Sequence, residues 1–236
     1  MTITSANSKP RIAILASGSG TTAESFIRAN QTGEINIDVG LVIVSRSDAG
    51  IIERINGLNQ EFGLNIQIQV INAATHPAVS GEKVAYGCQT RAEEQAILDA
   101  LNEGGFDLIA LMGYMKKIGP NLISKFGWLT EYTSLFQARM VNTHPGLLPD
   151  TKGFYGQKIQ QYVLDHQLPY GGQTLHVVAE DYDDGPIIAE HKVPVVPGDT
   201  AETLFARVQQ VEKKYLPRDI EDFINARQAF TDSETQ

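Results

Sequence analysis

The 236-residue sequence has a single cysteine, Cys88, so no internal disulfide can form and the chain suits a reducing cytoplasm. It has no basic excess: 19 Lys and Arg stand against 28 Asp and Glu, a net charge of −9. That excludes a field able to hold a nucleic-acid backbone, so an anionic substrate must be gripped by local features. Apolar runs are short. LIALM at 108–112 is far below the length of a bilayer span, and no membrane partner is expected. The first ten residues, MTITSANSKP, carry no apolar core and read as a flexible tail (1–10), not a secretory signal. There is no CxxC, HExxH or EF-hand loop, so no metal is expected. GxSxG is missing as well, and Cys88 has no base beside it that the sequence identifies, which leaves nucleophilic catalysis without support.

Apolar residues make up 42% of the chain, the usual share for a globular protein. Strand-like runs fall at Arg11–Ala16, Ile37–Ser45, Asn65–Ile71, Phe106–Met112 and Arg139–Asn142. Their unbroken Val, Ile and Leu content suits strands buried on both faces of a parallel sheet. Helical patterns at Thr21–Asn30, Asp48–Phe62, Arg91–Asn102 and Pro120–Lys125 alternate with them. This predicts an α/β fold, a doubly wound, mostly parallel, Rossmann-like sheet. A helix at Tyr155–His166 follows, then an antiparallel pair, Gln173–Ala179 and Ile187–Val196. A long closing helix is expected from about Thr200 to Arg227, capped by Asp199 or Thr200 and bent near Pro217. Segments 72–90 and 127–138 carry the least pattern.

Three motifs carry chemistry. Gly18-Ser19-Gly20-Thr21-Thr22 follows the first strand and opens the first helix, where free amides favour an anion. It lacks the Gly-Lys-Ser/Thr of a nucleotide P-loop and the third glycine of GxGxxG, so a plain strand–helix turn stands beside the phosphate reading. Asn142-Thr143-His144-Pro145 places an amide and an imidazole two residues apart, on one face of a strand end. An amide donor and an imidazolium are what a developing oxyanion needs, and Pro145 confines His144 to extended backbone. Asp181-Tyr182-Asp183-Asp184-Gly185-Pro186 suits a hairpin turn. The functional reading is that one carboxylate turns inward to orient His144 and raise its pKa. His76, His166 and His191 read as surface or loop residues, and His176 as a packing or ligand-shaping one.

In this order, together with Gly113-Tyr114-Met115-Lys116, Leu147-Leu148-Pro149 and Gln173-Thr174-Leu175-His176, the motifs resemble the phosphoribosylglycinamide formyltransferase family of the formyltetrahydrofolate hydrolase and transferase superfamily. The likeness runs from about Arg11 to Phe223. It implies a single domain over 11–227, with a phosphate-binding half at about 11–112, a folate and catalytic half at about 113–227, and a C-terminal tail at 228–236. It implies a formyl transfer from 10-formyltetrahydrofolate, as co-substrate, to the amine of 5'-phosphoribosylglycinamide. By the same resemblance Asn142, His144 and Asp183 are catalytic, with Asp183 preferred over Asp184 as the partner of His144. Ser19, Gly20, Thr21 and Thr22 hold the acceptor phosphate, and Glu212 and Arg91 its amine and ribose end. Tyr114, Met115, Lys116, Ile118, Thr174, His176 and Asp184 border the folate.

The sequence departs from the family pattern at Thr22, where asparagine is common, and at Asp184, where glycine is frequent. Residues 128–139 look inserted, and 72–90 longer than usual. Partners are expected to be small molecules, with monomer and homodimer both open. Alternative readings are a formyltetrahydrofolate deformylase, a formyltransferase with another amine acceptor, and a catalytically inactive folate- or nucleotide-binding module. Retention of Asn142, His144 and Asp183 speaks against the last, since binding alone does not need all three.

Overall fold

The computed structural model describes residues 9–234, so the expected N-terminal tail lies outside the described residues apart from Lys9 and Pro10. Five strands are parallel: β1 (Arg11–Ala16), β2 (Asp38–Val44), β3 (Gln67–Val70), β4 (Leu108–Leu111) and β5 (Met140–His144). β6 (Tyr170–Val177) runs antiparallel to β5, and β7 (Ile187–Pro194) antiparallel to β6. The seven strands lie in the order β3-β2-β1-β4-β5-β6-β7. The order reverses between β1 and β4, and ligands of such sheets sit outside the carboxyl ends of the strands at that crevice.

β1 shows why both faces are covered. Ile12, Ile14 and Ala16 point into one core, and Ala13 and Leu15 into a second. The first is closed by α1 (Thr21–Gln31), α2 (Ile51–Phe62) and α6 (Ala201–Glu234), through Phe26, Ile55 and Ile220. The second is closed by α3 (Arg91–Gly104) and α4 (Pro120–Phe126), through Ile97 and Leu122. α3 starts sharply because Thr90 and Glu93 form a reciprocal capping box. α5 (Gln157–Asp165) packs Val163 against Val193 of β7 and Leu204 and Val208 of α6.

Two expectations need correction. β5 does not end at Asn142; it runs on to His144, because β6 pairs with its end, Asn142 opposite His176 and His144 opposite Thr174. α6 is neither broken at Pro217 nor finished at Arg227; it continues to Glu234. Pro217 forfeits one backbone bond inside the helix, at a cost of about 3 kcal/mol. Burial of Leu216, Ile220, Phe223 and Ile224 on the sheet outweighs that, at about 1.5–3 kcal/mol per side chain. Past Arg227 the helix is held by the 128–139 segment. Phe136, in a 3₁₀ turn at Leu135–Gln137, packs on Phe223 at 5.7 Å and Phe230 at 6.1 Å. Arg227 Nε donates to Ala138 O at 3.2 Å.

Candidate active site

Strand alternation divides the end of β5 into two faces. Met140 packs into the α3–α4 core and Val141 into the α1–α6 core. Asn142 and His144 therefore share the α3–α4 face with Thr174 and His176 of β6, while Thr143 and Gln173 face the long helix.

On the first face the side chains form one connected group. His176 is buried, and its Nδ1 lies 2.9 Å from Val177 O, so that nitrogen donates. Its Nε2 lies 3.0 Å from Asn142 Nδ2. This contact orients the Asn142 amide and leaves its second N–H unspent. The loop between β6 and β7 brings Asp183 back against both histidines, with Oδ1 3.6 Å from His144 Nδ1 and 3.6 Å from His176 Nε2. Asp183 takes a left-handed backbone, φ 53°, which aspartate tolerates better than most residues. Gly153 N–H donates to its Oδ2 at 3.0 Å. Asp184 instead pairs with Lys152 and is exposed.

Burial works to raise the Asp183 carboxyl. His176, His144 and the Gly153 N–H together outweigh it and hold the group below the ordinary carboxylate value, so it is a charged carboxylate at neutral pH. His144 behaves otherwise than the sequence suggests. Asp183 does favour its protonation, but burial dominates and, with His176 nearby, leaves its pKa below the ordinary 6.5. The group at rest is a neutral imidazole beside a fixed anion. That arrangement can accept a proton and then stabilise the resulting cation.

On the opposite face, Glu212 of α6 is buried, its Oε1 accepting from Thr143 Oγ1 at 2.6 Å and its Oε2 from Thr22 Oγ1 at 2.9 Å. Gln173 Nε2 donates to Thr143 Oγ1 at 3.2 Å. Burial pushes the Glu212 carboxyl up, against the two threonine hydroxyls. The sequence reading put this glutamate at the acceptor amine. Here both its oxygens are taken by hydroxyls, and it ties the first turn of α1 to β5.

The glycine loop stands at the C-terminal end of β1. Gly20 caps α1 at φ 76°, and a Cβ there would lie 2.5 Å from Ile51 Cβ. Glycine is thus required by the approach of α2 as well as by the turn. Arg54 of α2 donates to Ser19 O at 2.8 Å and pairs with Glu24. Thr21 and Thr22 occupy the first turn of α1, where backbone N–H groups have no partner within the helix. The Thr22 hydroxyl is spent on Glu212. Arg91 is exposed at the start of α3, with its backbone N–H donating to Glu82.

The residues expected to border folate divide. Tyr114 and Ile118 belong to the α3–α4 core, with Gln89 Nε2 donating to the Tyr114 hydroxyl at 3.0 Å. Thr174 is fully buried, donates to Gly146 O at 2.8 Å and accepts from Leu148 N at 3.3 Å, so it holds the loop after β5. Lys116 pairs with the buried Glu93. Met115 remains exposed, as does Tyr182 on the loop that carries Asp183 and Asp184. The sequence reading missed Thr151, whose hydroxyl meets His144 Nε2 at 3.0 Å. Nothing in the sequence around Leu148-Pro149 says what a threonine at 151 would touch.

The chain matches the "Formyl transferase" family model over residues 10–220. It is 28% identical over 216 residues to the phosphoribosylglycinamide formyltransferase of Bacillus subtilis, covering 91% of this chain and 94% of that one. It is 31% identical over 210 residues to the chloroplastic phosphoribosylglycinamide formyltransferase of Arabidopsis thaliana, covering 87% of this chain and 62% of that relative's length. The crystal structure of the Bacillus halodurans phosphoribosylglycinamide formyltransferase superposes with a TM-score of 0.73 at 30% identity, covering 91% of this chain and 95% of the other. That from Brucella melitensis does so with a TM-score of 0.71 at 33% identity, covering 92% and 96%.

Proposed function

The chain belongs to the formyl transferase family, and from that premise we propose that it moves the formyl group of 10-formyltetrahydrofolate to the amine of 5'-phosphoribosylglycinamide, a step of purine biosynthesis. The observation that carries this reading is the meeting of Asn142, His144 and Asp183 at the C-terminal end of β5. The acceptor's phosphate would rest on the first turn of α1, behind Gly20, where the helix dipole and free amides favour an anion. The folate would enter beside Met115 and the loop of Tyr182 and Asp184.

The chemistry follows from the geometry. As the amine attacks the formyl carbon, a C–N bond forms and the formyl oxygen gains negative charge. The spare N–H of Asn142 Nδ2 donates to that oxygen. His144 takes up the proton that the amine sheds, and the imidazolium is stabilised by the Asp183 carboxylate 3.6 Å away. Once charged, the ring also attracts the oxyanion. The proton then passes to the folate nitrogen as its bond to the formyl carbon breaks. Glu212 contributes by fixing Thr143, between Asn142 and His144, to the helix that carries the phosphate site. Holding two large substrates in register supplies the rest of the acceleration.

The test is to incubate the protein with 10-formyltetrahydrofolate, with and without 5'-phosphoribosylglycinamide, and follow release of tetrahydrofolate. Release that depends on the ribonucleotide is the expected result. Release at equal rate without it would overturn the acceptor in favour of water, and no release in either case would overturn the activity.

A further inference from the structure

We propose that Thr151 is a positioning residue that commits Nε2 of His144 to a bond inside the protein and leaves Nδ1 as the nitrogen that exchanges the reaction's proton. This rests on the formyl-transfer reading for its kinetic part and on the geometry alone for its tautomer part.

A threonine hydroxyl has one proton. The Thr151 Oγ1 lies 2.9 Å from Leu147 O, a carbonyl that can only accept, so the proton is spent there. The same oxygen lies 3.0 Å from His144 Nε2. With the hydroxyl proton already used, that contact is a hydrogen bond only when Nε2 carries the hydrogen. A neutral His144 therefore keeps its lone pair on Nδ1, the nitrogen that faces Asp183 Oδ1 at 3.6 Å. Both partners are shielded, Thr151 being 1% exposed and His144 4%, so water does not compete for the bond.

The local chain is built around this contact. A Cβ at Gly146 would lie 2.2 Å from Thr151 Oγ1 and 2.9 Å from His144 Nε2, so a glycine is what lets the hydroxyl reach the ring. Thr151 N–H donates to Leu147 O at 3.1 Å, closing the turn that presents the side chain. From the far side, Thr174 holds Gly146 O and Leu148 N. The Gly153 N–H, two residues on, fixes Asp183. One short loop thus orients the base through Nε2 and its counter-charge through Oδ2.

The proton balance is simple. The amine's proton moves to Nδ1 as the new C–N bond forms. It leaves Nδ1 for the folate nitrogen as the old bond breaks, and the imidazole ends as it began. Nε2 keeps its own proton throughout.

The test uses the whole protein with ¹⁵N-histidine and long-range ¹H–¹⁵N correlation spectra above the titration of His144, whose signals are assigned by their loss in His144→Gln. Wild type and Thr151→Ser are expected to show the Nε2–H form in roughly ten-fold excess, the preference one hydrogen bond supports. Thr151→Val is expected to show mixed tautomers, with kcat lowered about ten-fold and the KM for folate unchanged, and Thr151→Ser is expected to restore kcat. A Thr151→Val protein with the wild-type tautomer ratio and wild-type kcat would overturn the proposal. If the valine variant does not fold by circular dichroism, the wild-type spectrum decides, since a dominant Nδ1–H form there also overturns it. Failure of the formyl-transfer reading would show as absent turnover in wild type, with the tautomer result standing by itself.

Discussion

Replacing Asp183 by asparagine removes one negative charge and almost no volume. The amide oxygen can still accept from Gly153 N–H, so the loop is expected to keep its shape. What disappears is the attraction between Asp183 Oδ1 and a protonated His144 Nδ1, 3.6 Å apart. At an effective dielectric of about 20, two unit charges at that distance attract by about 4.6 kcal/mol. The carboxylate side chain is 11% exposed and is shared with His176, so about half of that, roughly 2–3 kcal/mol, is the working figure. Since the imidazolium develops only as the amine attacks, the loss falls on the barrier: kcat should drop about 100-fold, with the KM for folate within about three-fold. Without the anion, burial is opposed by less, and the acid limb of the kcat profile moves to lower pH. Steady-state kinetics over pH 5–9 with saturating acceptor reads both effects. A variant with the wild-type kcat and an unmoved acid limb would refute the assignment of Asp183 as counter-charge and return the loop to a plain hairpin turn.

His144→Ala should lose on the order of 10³-fold in kcat while binding folate normally, as measured by turnover and by equilibrium titration; wild-type turnover would remove His144 from the mechanism. Glu212 gives a pH signature in stability. Its carboxyl is raised by burial above the ordinary 4.5, so its contribution is complete below that value and is lost as pH rises through the folded-state value. Glu212→Gln is expected to lack this loss, so wild-type Tm should fall relative to the variant as pH rises above 4.5, and parallel Tm curves would contradict it. Phe136→Ala should destabilise by about 2 kcal/mol, because the half-buried ring joins Phe223 and Phe230; chemical denaturation reads this, and an unchanged midpoint would mean the 128–139 segment does not anchor α6.

The order of strands and helices was legible because the parallel strands are buried on both faces and so read as unbroken apolar runs. β1 is the clearest case, with five of its six residues buried. The pairing of Asn142 with His144 was legible for a similar reason, since the two-residue period of a strand fixes which side chains share a face. Where the reading fell short, the cause was a tertiary contact. The run of α6 past Arg227 depends on Phe136 meeting Phe230, residues remote in sequence. The hydrogen bonds that Glu212 accepts from hydroxyls of α1 and β5 are tertiary as well, and a glutamate on a helix says nothing of which hydroxyls it will find. The burial of Tyr114 and Ile118 beside the exposed Met115 rests on packing from α3 and α4, which their motif alone does not show. The direction of the His144 shift was misjudged because sequence shows the charge that could approach and not the depth at which the ring is buried.

The central claim is that the formyl carbon goes to an amine and not to water. A single turnover with ¹³C-formyl-labelled 10-formyltetrahydrofolate and 5'-phosphoribosylglycinamide, quenched and read by ¹³C NMR, tests it directly. The label is expected in the formamide carbon of the ribonucleotide product, in step with loss of the donor. Label recovered as free formate would contradict the account.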